Sequence, residues 1–197
     1  MSIDFNPNFI TKLHKEAIER WKATGINYQH SGIYQLAEEN HAFNYQLWHA
    51  EDRARRDDMG AEYVYLAKRE IDGFNQQRNN RMEAMDEWFF NYLKPAGPHL
   101  CPVHSETPGM MIDRLSILSL KSYHMRLQTL RSDASEEHKN SCAKKLETID
   151  QQLEQLSRCL GEFVDEVEQK IRTFRVYHQF KMYNDPNLNP ELYSTQK

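Results

Sequence analysis

Glycine and proline are scarce, with 7 of each among 197 residues, about half their usual combined share. That scarcity argues against a turn-rich all-β fold and against a disordered linker protein. Cysteine is scarcer still. Cys101, Cys142 and Cys159 make an odd number with no Cys-x-x-Cys pair, which excludes a disulfide scaffold and points to a reducing, cytoplasmic setting. No apolar run approaches the ~18–20 residues needed to cross a bilayer, and no basic start or hydrophobic stretch follows Met1, so membrane insertion and a signal peptide are not expected. Charge of one sign is lacking too: the net charge is −4, and the cluster Arg53, Arg55 and Arg56 runs straight into Asp57 and Asp58. Nucleic acid is therefore not an expected partner. The chain has no Gly-rich phosphate loop, no Gly-x-Ser-x-Gly elbow and no His-Glu-x-x-His helix, and no cofactor is expected.

What remains is helical. Six of the 14 glycines and prolines (Pro95, Gly97, Pro98, Pro102, Pro108 and Gly109) fall within residues 95–109, so no helix passes through that connection. Before it, apolar residues recur at helical spacing over residues 9–23, 31–56 and 61–93. After it they recur over 108–131 and along a last helix beginning near Asp133 to Glu136. In that last helix Leu146, Ile149, Leu153, Leu156, Leu160, Phe163 and Val167 alternate three and four apart, and Ile171 and Phe174 continue the pattern. About 45 helical residues would span roughly 65–70 Å, so the helix either bends at Gly161 or projects as the seam of a homodimer. The fold class is all-α: an antiparallel bundle of about five helices, with residues 1–184 as one domain and 185–197 as an extended, mobile tail.

Polar residues on core-facing stripes carry the functional signal. The short turn at 57–60 makes the second and third helices antiparallel, with partners summing to about 117. Glu38 and His41 then lie opposite Asn75, Arg78 and Asn79, with Trp48, His49 and Asp52 further along the second helix. An enclosed guanidinium at Arg78 requires a carboxylate, from Glu38, Asp52 or Asp113. Two accounts fit: a buried network that sets helix register, or a pocket between helices. A second group runs through His104, Glu106, Thr107, Gly109, Asp113 and Arg114. Thr107 caps a helix whose first amides, with Arg114 one turn on, suit a phosphate or carboxylate, unless this is an ordinary capped end. Metal is not expected: Glu38-x-x-His41 has no second pair, and Cys101-x-x-His104 is at most half a zinc site.

Three strings, Trp48-His49-Ala50-Glu51-Asp52, Asn75-Gln76-Gln77-Arg78-Asn79 and Thr107-Pro108-Gly109 leading to Ile112-Asp113-Arg114-Leu115, together resemble a bacterial family filed as domain of unknown function 4254, over roughly residues 30–175. The resemblance implies an all-helical cytosolic protein and an association with cell-envelope sugar assembly. It assigns no catalytic residue. The expected function is a binding or accessory module whose inter-helix pocket takes a small anionic ligand or docks a partner enzyme. One alternative is an enzyme acting on a phosphorylated sugar or nucleotide, with His49 or His104 as acid–base, Asp52 or Glu106 orienting it, and Arg78 or Arg114 binding phosphate. The other is a structural dimer through the last helix.

Overall fold

Asn6 opens the first helix, α1 (Pro7–Thr24), by accepting from the Asn8 amide, with proline in the first turn where no amide is needed. A computed structural model of the protein describes residues 5–180 and 182–194; the ends of the expected domain and tail, residues 1–4 and 195–197, lie outside them. Four more long helices follow: α2 (Gly32–Arg53), α3 (Ala61–Leu93), α4 (Pro108–Thr129) and α5 (Glu136–Glu168). Gly60 turns the chain into α3 at φ 89, while a left-handed Lys94 ends that helix ahead of the Pro/Gly connection. Ser31 sits at the N-cap of α2 but makes no capping hydrogen bond. The cap of α5 is Ser135, accepting from the His138 amide, and not Asp133.

Two antiparallel hairpins, α2–α3 and α4–α5, are joined by α1, and α4 packs against all four other long helices. Its near-continuous apolar surface places it there. The main core gathers Ile10, Met85, Phe89, Ile112, Leu115, Leu160, Phe163 and Phe174, each worth roughly 1.5–3 kcal/mol of burial. A smaller cluster of Leu47, Ala50, Ala54, Ala67 and Ile71 holds the α2–α3 hairpin together, its alanines allowing close approach. Among the described residues no helix is long and apolar enough to cross a membrane.

The last long helix is shorter than its apolar period suggests. It covers 33 residues, because Lys170 takes φ 64 and the amides of Ile171 and Arg172 both turn back to the Glu166 carbonyl, at 2.9 and 3.2 Å. Ile171 is exposed; Phe174 is buried, but from a segment that doubles back. There Thr173 forms a single parallel bridge with Val103. Its amide donates to the Pro102 carbonyl at 3.0 Å, and its carbonyl accepts from the His104 amide at 2.7 Å. Lys170 Nζ reaches the Leu93 and Lys94 carbonyls at 2.7 Å each, closing the end of α3. Gly161 is not needed for a bend, but a Cβ there would meet Pro7 Cγ at 3.0 Å. From Leu156 onward the α5 stripe is buried in the chain's own core, while Leu146, Ile149 and Leu153 are half-covered. The expected extended tail contains a short helix, α6 (Pro190–Tyr193).

Candidate functional site: a cleft beside Arg78

The α2–α3 register follows the antiparallel expectation. Asn40 Nδ2 donates to the Arg78 carbonyl at 3.4 Å, and Arg53 pairs with Glu70. One turn of α3 thus brings Arg78 between α2 and α4, where its Nε lies 3.8 Å from Asp113 Oδ1. The Arg78 Nε is buried with no hydrogen-bond partner among the described residues; 26% of the side chain remains exposed. It borders a cleft of about 390 Å³ between α2, α3 and α4. Trp48, Leu47, Ile117 and Leu120 form the apolar wall, and Asn44, Asp52 and Asn75 supply polar groups. Glu51 and Arg55 at the rim satisfy each other at 2.7 Å. Four residues expected at a site, Trp48, Asp52, Asn75 and Arg78, therefore share one cavity, with Asp113 close behind.

Beneath the cleft lies a closed polar chain. Asp113 Oδ1 accepts from Asn40 Nδ2 at 3.0 Å and from Asn44 Nδ2 at 2.8 Å, and Asn44 also donates to Ser116 Oγ at 2.9 Å. His41 Nε2 lies 3.0 Å from the His14 carbonyl, which can only accept, so that nitrogen carries the proton. Nδ1 then accepts from the Ser116 hydroxyl at 2.7 Å. Both imidazoles are fully buried, with ring centroids 4.4 Å apart. Burial pushes His41 down to about 3 and lowers His14 as well, the latter helped by its neighbour His41. His41 is thus a core residue facing α1 and α4, and not a group opposite Arg78. Glu38 is not Arg78's carboxylate either: it is buried against Arg20 and accepts from the amides of Gln29 and His30 at 2.9 and 3.2 Å. Those three contacts fix the α1–α2 loop.

The start of α4 is also spoken for. Met110 N donates to Thr107 Oγ1 at 3.2 Å, Gly109 N to Asp86 Oδ1 at 2.7 Å, and Thr107 Oγ1 to Asp86 Oδ2 at 2.6 Å. Asp86, a residue sequence reasoning missed, supplies the carboxyl oxygens that cap this helix end. The signal was available: Asp86 falls within the Met82, Met85, Phe89 and Leu93 stripe, a carboxylate where apolar residues are the rule. Burial pushes it up to about 7 against the pull of its two hydrogen bonds. Thr107 and Gly109 are therefore occupied by the protein itself.

The other expected residues sit apart from the cleft. His104, Glu106 and Arg114 line a second groove of about 690 Å³ between α4 and α5, which meets the first only at Ile117. His104 Nδ1 contacts the Glu106 backbone, while the Glu106 carboxylate goes to Arg114 at 2.5 Å, so the Glu106 carboxylate does not orient the imidazole. His49 is exposed, lies edge-on to Tyr45, and makes no hydrogen bond to Asp52 among the described residues. Asn79 is buried and lines a third cavity with Asn75. No motif or spacing singles out His124, which stacks on Trp48 with centroids 4.3 Å apart and planes at 6°. Its pKa is lowered, by burial first and by His49 next.

A family model described as "Protein of unknown function (DUF4254)" matches residues 34–176, which includes every residue of the Arg78 cleft. No curated protein and no solved structure matches.

Proposed function

The chain belongs to the DUF4254 family of proteins of unknown function, and on that premise we propose that it is a binding protein whose Arg78 cleft takes a small ligand bearing an anionic group. The observation that carries this reading is an under-used guanidinium. The Arg78 Nε is buried with no hydrogen-bond partner among the described residues and reaches Asp113 only at 3.8 Å, yet part of the side chain faces an open cavity. A guanidinium offers five donors in a planar fork suited to carboxylate or phosphate. Trp48, Leu47 and Leu120 give the cleft an apolar wall, while Asn75 and Asp52 supply orienting groups, the usual composition of a small-molecule site. A binding role suits these residues better than acid–base catalysis, because among the described residues no carboxylate hydrogen-bonds to His49 or His104. The three free cysteines support a cytoplasmic setting.

Thermal melts in the presence of millimolar nucleotides, nucleotide sugars and phosphosugars test the proposal. A ligand at about 100 times its Kd adds about 2.7 kcal/mol, or several degrees in Tm for a chain of this size. Arg78→Met should keep the fold, since Asp113 retains Asn40 and Asn44, and should lose the shift. A shift that survives in Arg78→Met, or no shift in the wild type with any of these anions, overturns the reading.

A further inference from the structure

The segment after α5 lies over α3 and brings a histidine to a pair of carboxylates. Glu83 and Glu87 are four residues apart on one face of α3, a like-charge spacing that costs a helix some tenths of a kcal/mol when nothing stands between the pair. His178 comes from the returning segment. Its Nδ1 pairs with Glu83, and the next residue, Gln179, donates its amide to Glu83 Oε2 at 3.3 Å. One donor atom from each of Glu83, Glu87 and His178 lies within 4.8 Å of the others.

We propose that Glu83, Glu87 and His178 form a binding site for one divalent transition-metal ion of the Zn²⁺ type, which fastens the C-terminal segment to α3. Tetrahedral Zn²⁺ holds its ligands at about 2.0–2.2 Å, which sets them roughly 3.4 Å apart. Closing from separations of at most 4.8 Å takes no more than about 1.4 Å of movement by side chains that are exposed or half-exposed. One imidazole nitrogen with two carboxylates is a donor set of borderline softness, suited to Zn²⁺ more than to Mg²⁺ or Ca²⁺, which favour oxygen alone. The two glutamates neutralise the ion's charge, and three protein ligands leave a position for water. His178 itself borders a cavity of about 510 Å³ that Asp72, Asn75, Asn79, Phe180 and Tyr183 also line. His178 also lies just past residue 176, where the family match ends. The site therefore joins the family's shared body to a segment outside it.

Titration of the full chain with ZnCl₂ by calorimetry, alongside Glu87→Gln and His178→Ala, tests this. Glu87 takes no part in the His178–Glu83 pair, so Glu87→Gln leaves that pair and the fold intact, with far-UV circular dichroism as the control. The wild type should bind one ion per chain. Each variant should bind at least about 10–100-fold more weakly, the loss typical even of residues that only orient a metal ligand. Zn²⁺ should also slow tryptic cleavage after Arg175 in the wild type and not in Glu87→Gln. A wild type that binds no ion, or binds as tightly as either variant, overturns the proposal; the His178–Glu83 contact is then an ion pair only.

Discussion

The Gly109 amide donates to Asp86 Oδ1 at 2.7 Å, so the first turn of α4 is completed by a carboxylate from α3. The two elements lie so close that a Cβ on Gly109 would meet the Met82 carbonyl at 2.5 Å and Asp86 Oδ1 at 2.6 Å. This contact joins the two helices that supply two walls of the Arg78 cleft, through earlier turns of α3 and later turns of α4, and it has a pH signature.

Asp86 is pushed up to about 7 from 3.8 by burial. The native carboxyl therefore keeps a proton that the unfolded chain releases, and this group's contribution to stability falls as pH rises between about 4 and 7. Asp86→Asn removes that titration. The Tm advantage of wild type over Asp86→Asn should be greatest near pH 4 and shrink by pH 7. Parallel Tm curves for the two proteins would contradict the assignment.

The buried His14–His41 pair acts in the opposite direction. Unfolded imidazoles take up protons below about 6.5, while native His41 resists until about 3 and His14 is likewise lowered. Stability contributed by this pair is complete above about pH 6.5 and is lost as pH falls towards 3. His41→Gln should be less stable at pH 7 by about 1–3 kcal/mol, because Ser116 and the His14 carbonyl lose their partner. It should also lose less of its remaining stability on acidification, as read from urea melts at pH 7 and pH 5.

The same glycine-to-alanine change should have opposite signs at two positions. Gly73 lies within α3, and a Cβ there meets nothing within 4 Å; the close helix contact that such a glycine suggests is absent. Gly73→Ala should stabilise the protein by about 0.5–1 kcal/mol, or some 1–4 °C. Gly109→Ala forces Asp86 and the Met82 backbone apart and should cost about 1–3 kcal/mol. Differential scanning calorimetry of both variants reads the two signs directly.

Much of the architecture was legible because helix periodicity and the cluster of breakers at 95–109 are local signals. The placing of Arg78 against α2 was legible for a related reason: a tight turn fixes the register of α2 against α3, while the spacing leaves its carboxylate open between Glu38, Asp52 and Asp113. The errors came where no tight turn sets the partner. Glu38 found Arg20 on α1 across a longer loop, and His41 faced the same helix. The end of α5 was misread because Ile171 and Phe174 keep the apolar spacing, whereas the left-handed turn at Lys170 leaves no mark in hydrophobicity. Asp86 was passed over because acidic residues usually face solvent, and only its tertiary partners explain its burial.

The bridge between Thr173 and Val103 has a bearing on where the foldable unit stops. Phe174 is the last buried side chain among the described residues, and it enters the core from beyond α5. A fragment cut at the end of that helix would lose a fully enclosed aromatic ring, the Lys170 clasp on α3 and the strut holding the 95–107 connection. The minimal autonomous body therefore extends through residue 174, two residues short of where the family match ends.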